Sequence, residues 1–182
     1  MAGRAAALLM LAALLRSAAA DQHDPRLNDL FDRLKLASSA AAAVPIEAEV
    51  WRVWSEVADP DATVLYGRAL SAMSDGDAAT AAAALDLLLE LAPGFAEGWN
   101  KRATLRYLMN DDPGSIADIR RTLALEPRHF GALSGLALIY ERQGRPDEAV
   151  RSLEAALAIH PFLPGGAARL RALRETAAGD PT

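Results

Sequence analysis

The chain has 182 residues, no cysteine, a formal net charge of −5 and a mean hydropathy of +0.07. Its length bounds it to one compact or repeat-built domain behind an N-terminal leader. The acidic balance gives no global attraction for nucleic acid, and the missing cysteines exclude disulfides, thiolate zinc sites and a thiol nucleophile. The 41 alanines and 28 leucines, against 5% aromatics, favour helices over strands, so the chain is read as all-α.

Residues 1–20 read as a leader. Arg4 supplies a positive start, residues 5–15 are an unbroken apolar run, and Ala18, Ala19 and Ala20 offer the small residues that a signal peptidase requires. Cleavage is expected before Asp21. The alternatives are an uncleaved inner-membrane anchor, for which the run is short against about 30 Å of hydrocarbon, and an ordinary alanine-rich helix. Loss of Arg4 and Arg16 with the leader takes the formal charge from −5 to −7.

Two helices are predicted next, over 26–43 and 45–57, the second opening on Pro45. Trp51 and Trp54 lie three apart and so share one helical face, with an aromatic ligand platform as the alternative to packing.

The middle of the chain repeats. Pro93, Pro127 and Pro161 stand 34 residues apart, each closing an apolar run: LDLLLELAP, IRRTLALEP and LEAALAIHP. Placing each proline at position 32 gives ungapped units at 62–95, 96–129 and 130–163. Position 8 holds Ala69, Ala103 and Ala137, where a small residue lets two helices approach. Position 15 holds Gly76, Asn110 and Gly144, residue types that accept the left-handed conformation ending a helix. Large residues recur at position 24 (Leu85, Ile119, Leu153) and at position 28 (Leu89, Leu123, Leu157). Each unit is therefore a helix, a tight turn and a second helix packed back on the first. One hairpin cannot bury its apolar face alone, so three stacked units share a core. Gly165 and Gly166 then break the chain before a basic capping helix with Arg169, Arg171 and Arg174.

This pattern resembles the tetratricopeptide repeat, most clearly in AEGWNKRATLRYL at 96–108 and GRPDEAVRSLEAALAIHP at 144–161. The departures are Arg68 and Arg102 at position 7, and Ala72 and Arg106 at position 11. The resemblance implies a right-handed α-superhelix of three helix-turn-helix repeats, with capping helices at both ends. The pair at 21–61 is then a divergent repeat stacked on the N-terminal end, where Trp51 and Trp54 cover the open side of the first unit.

The family's concave groove, carried over by position, takes Tyr66, Leu70 and Met73 from the first unit. The second gives Asn100, Lys101, Thr104, Tyr107 and Leu108, and the third gives Ser134, Leu138, Glu141 and Arg142. The expected partner is a protein or peptide segment. Asn100, Lys101 and Arg142 match only partly the lysine, asparagine and arginine with which some members hold a terminal carboxylate. Arg68 and Arg102, on adjacent first helices, form either a candidate anion row with Lys101 or structural pairs with acids such as Glu97 or Asp118. Glycine sits inside first helices at Gly67, Gly98, Gly131 and Gly135, either for tight packing or for close approach of a partner.

His23, His129 and His160 are too far apart for a metal pair at helical spacing, and phosphate loops and nucleophile elbows are absent. No metal, cofactor or catalytic residue is expected. The leader and composition also resemble small exported repeat proteins of Gram-negative bacteria. The expected role is a non-catalytic adaptor of the bacterial cell envelope, located in the periplasm. The alternatives are an accessory subunit of an envelope enzyme or assembly complex, and a structural protein that forms a homodimer through the Trp51 and Trp54 end or the last helix.

Overall fold

The computed structural model describes residues 23–179; the leader read over 1–20 lies outside them. The described residues form nine helices and no strand: α1 (Arg26–Lys35), α2 (Ala40–Trp54), α3 (Pro60–Ser74), α4 (Ala78–Leu91), α5 (Ala96–Leu108), α6 (Asp112–Leu125), α7 (Phe130–Arg142), α8 (Pro146–Ile159) and α9 (Gly166–Ala177). None of them is long and apolar enough to cross a membrane.

Short-range chemistry sets the helix ends. Side chains of Asp59, Asp77 and Asp111 accept the Ala62, Thr80 and Gly114 amides at 2.9 to 3.0 Å and so cap α3, α4 and α6. The three hairpin turns are built alike, with Gly76, Asn110 and Gly144 at φ of 75°, 60° and 66°. After each, an amide reaches back to the carbonyl five residues earlier: Asp77 to Ala72, Asp111 to Arg106 and Arg145 to Tyr140, at 2.8 to 2.9 Å. Each turn thereby satisfies carbonyls that the helix end leaves open.

The antiparallel pairs α3–α4, α5–α6 and α7–α8 stack in sequence, and α9 packs on α8. Leu85, Ile119 and Leu153 are buried between layers, and Leu173 of α9 closes the core at the C-terminal end. Arg169 and Arg174 tie α9 back to Glu141 and Glu154.

The N-terminal pair departs from expectation twice. Pro45 lies inside α2 instead of opening it. Ser39 caps that helix at Ala42, and residues 40–43, all alanine, begin it ahead of the proline, which forfeits a single backbone bond. The second departure is larger. Trp51 and Trp54 do not cover the first hairpin; α1 and α2 share a core with Phe130, Leu153 and Leu173. Trp54 stacks on His129, Glu47 of α2 meets His160, and Arg128 reaches Asn28 of α1. The pair runs as a strap along the loops that join one hairpin to the next. The physical reason lies in the two surfaces on offer. The outer face of α3 presents exposed Val64, Arg68 and Ser71, which need no cover, whereas the junctions present aromatic rings that must leave water.

Candidate functional site

The first helices α3, α5 and α7 lie side by side, and their shared face has two halves. At the junction side, Glu97 is only 1% exposed. Its carboxylate accepts from Asn100 Nδ2 and His129 Nε2, both at 2.9 Å. Lys101 Nζ stands 2.9 Å from the other oxygen, held by proximity more than by hydrogen-bond direction. His129 Nδ1 accepts the Ala132 amide at 3.1 Å and so caps α7, which turns the Nε2 proton toward Glu97. Burial pushes the Glu97 carboxyl up, but the His129 hydrogen bond and the Lys101 charge together hold it below the usual carboxylate range. Burial, reinforced by the nearby Glu97 charge, raises the Tyr66 hydroxyl above the ordinary phenol value.

The strap covers this half. Trp54 lies against the His129 ring, while Trp51 meets Phe130 edge-on at 5.2 Å and sits 5.7 Å below Lys101 Nζ. A Cβ at Gly131 would come 2.6 Å from Trp51, so glycine there makes room for the chain's own α2. Tyr66, edge-on to Phe95, and Asn100, 8% exposed and bonded to Glu97, are buried although both occupy groove positions. Both tryptophans pack within the chain, Trp54 fully and Trp51 with part of its ring still exposed.

The turn-side half stays open. Leu70 and Leu138 are each 39% exposed and Leu108 is 65% exposed, with Met73, Tyr107 and Ser134 half-buried among them. The Thr104 hydroxyl donates to the Asn100 carbonyl at 3.0 Å. Arg142 lies 3.9 Å over the Tyr107 ring, bonds Asn110 and the Tyr107 carbonyl, and pairs with Asp112. Glu141 is taken by Arg169 at 2.9 Å. Between α5 and α7 lies a hollow of about 80 Å³ that runs from Asn100 and Gly131 past Thr104 and Gly135 to Tyr107 and Leu138.

The glycines divide between the two readings. A Cβ at Gly98 would fall 2.8 Å from Phe95 and 3.1 Å from Leu89, which is tight helix packing. At Gly67 nothing lies within 4 Å, and at Gly135 only Ile119 does, at 3.8 Å. Gly67 thus leaves bare backbone facing open space, and Gly135 lines the hollow between α5 and α7.

Of the candidate anion row, Lys101 is committed to Glu97. Arg102 grips buried Asp118 through two 2.9 Å bonds, reaches Asp86 at 2.7 Å and stacks over Trp99 at 4.7 Å. Arg106 adds a second guanidinium to Asp118 at 2.9 Å. Arg68 is exposed and makes no ion pair among the described residues. Two of the three cations are thus neutralised internally. Sequence reasoning missed Arg106 as a partner of Asp118 and Glu97 as the ligand of His129. The signal for the second was available: positions 2 and 34 of one unit meet across the following loop.

Comparison with known proteins agrees with this geometry. The tetratricopeptide repeat profile matches residues 100–164. A TPR repeat-containing protein of Rhizobium etli is 34% identical over 157 residues, which is 86% of this chain and 77% of that protein. The chain belongs to the tetratricopeptide repeat family. Solved structures share the fold at low identity. The first TPR of Spaghetti (RPAP3) bound to the HSP90 peptide SRMEEVD has a TM-score of 0.63 and 18% identity, covering 65% of this chain and 94% of that one. The TPR2B domain of yeast Sti1, in complex with pHsp70, has a TM-score of 0.59 and 20% identity, covering 68% and 100%. MamA gives 0.61 and 20%, covering 82% and 80%. Among the described residues no group of histidines and carboxylates is arranged to hold a metal ion.

Proposed function

We propose that this TPR protein is a non-catalytic interaction scaffold that holds a segment of another protein on the open half of its first-helix face. The observation that carries the reading is the set of exposed leucines, Leu70, Leu108 and Leu138, on the same first-helix face as Gly67, whose backbone faces open space, and Gly135, which lines the hollow between α5 and α7. Apolar side chains left exposed on the shared face of successive first helices are the kind of surface that a partner covers. The solved neighbours in complex with an HSP90 peptide and with pHsp70 support the same use of the fold. The chain serves in the cell envelope, exported by the leader at 1–20 and cleaved before Asp21.

Site-specific photocrosslinking in the producing cell tests the reading. A photoreactive residue in place of exposed Thr104 yields a discrete adduct with one envelope protein, and the same residue in place of exposed Arg120 on α6 does not. Equal labelling from both positions, or none from Thr104, counts against it. N-terminal sequencing of the recovered chain gives Asp21 if export and cleavage occur, and Met1 or Ala2 if they do not.

A further inference from the structure

Resting on that reading, the structure assigns the partner's chemistry: we infer that the groove takes a short, uncharged, apolar extended segment on its turn side and discriminates against an acidic C-terminal peptide. Two independent observations lead there.

The first is spatial. The strap helix α2 already fills much of the junction-side half, with Trp51 against Gly131 and below Lys101, whose counter-ion Glu97 is buried. What remains runs across the turn-side halves of three first helices. At about 9 Å per helix spacing that span is on the order of 18 Å, room for about five or six extended residues. Gly67 and Gly135, equivalent positions of the first and third units, let a backbone come close at both ends of it.

The second is electrostatic. Every charged side chain at the groove positions has an internal counter-ion: Lys101 with Glu97, Arg142 with Asp112 and Glu141 with Arg169. A carboxylate-bearing peptide would have to take Lys101 from a buried Glu97 and so leave that charge unpaired, which costs more than an exposed new pair returns. The contacts still on offer, from Leu70, Met73, Leu108 and Leu138, reward apolar surface.

Fluorescence anisotropy with the full chain tests this, using two labelled probes. One is an acetylated, amidated octapeptide in which leucine alternates with serine; the other is SRMEEVD with a free C-terminus. The octapeptide binds saturably, with a Kd that stays constant from about 50 to about 500 mM salt. Gly67→Leu and Gly135→Leu each weaken it about tenfold or more. Thermal unfolding of both variants checks that they keep the fold; a Cβ meets nothing within 4 Å at Gly67 and only Ile119, at 3.8 Å, at Gly135. Tighter, salt-sensitive binding of SRMEEVD overturns the inference while leaving a groove-binding scaffold standing. Equal octapeptide binding by all three proteins overturns it too, since the occupant then sits elsewhere. If neither probe binds, the groove reading itself fails and takes the inference with it.

Discussion

Trp54 lies flat on His129, ring centroids 4.1 Å apart and planes 5° from parallel, although 75 residues separate them along the chain. The same histidine caps α7 through Nδ1 and donates to buried Glu97 through Nε2. One side chain thus joins a helix start, a buried carboxylate and the strap.

Two glycine substitutions should act in opposite directions because of that docking. Gly131→Ala drives a methyl group into Trp51 and should destabilise the protein by about 1 to 3 kcal/mol, net of the gain in helix propensity. Gly67→Ala meets nothing within 4 Å and should stabilise it by about 0.5 to 1 kcal/mol. Chemical denaturation of the two variants in parallel checks the sign of each.

Leu153→Ala empties a fully buried position between α7, α8 and the strap and should cost about 2 to 5 kcal/mol. Thermal unfolding measures it. An unchanged melting temperature would remove Leu153 from the core.

The Glu97 carboxyl is held below its ordinary value of 4.5 in the folded chain. Its ionised form therefore contributes stability that is fully present above about pH 4.5 and is lost as the pH falls through the lower folded value. Unfolding free energy should drop as the pH falls below about 4.5 in the unaltered chain. The drop should be smaller in Glu97→Gln, which has no carboxyl to protonate there. Parallel slopes for the two proteins would contradict the assignment of a charged Glu97.

Asp118→Asn leaves Arg102 and Arg106 facing an uncharged amide. The expected cost is about 2 kcal/mol, below the range for a wholly buried pair because both guanidiniums keep part of their surface in water. Asp86→Asn touches only the exposed end of Arg102 and should cost about 0.5 kcal/mol or less. Urea unfolding of the two variants separates them.

What the sequence made legible is what short-range physics decides. The left-handed residues at Gly76, Asn110 and Gly144 follow from residue type at one position, and the burial of Leu85, Ile119 and Leu153 from size at another. Arg68 looked like a flaw in the repeat and is instead on the polar outer face of the first hairpin, where no preceding layer packs among the described residues. The strap was not legible. Its place depends on Trp51 and Trp54 finding His129 and Phe130, and on Glu47 finding His160, at separations of 75 residues or more. No periodicity encodes such a match, and extending the repeat frame backwards suggested a stacked hairpin instead. The groove suffered accordingly: Tyr66, Asn100 and Lys101 hold groove positions, but α2 and the buried Glu97 network occupy them, while Leu70, Leu108 and Leu138 remain in the open.

Proton NMR of the tryptophan rings tests most directly whether the N-terminal helices brace the junctions. Nuclear Overhauser contacts from Trp54 to the His129 and Phe130 rings, with Trp51 reaching Gly131, are the predicted result. Contacts from either tryptophan to Val64 or Ser71 on the outer face of α3, with none to Phe130, would contradict it.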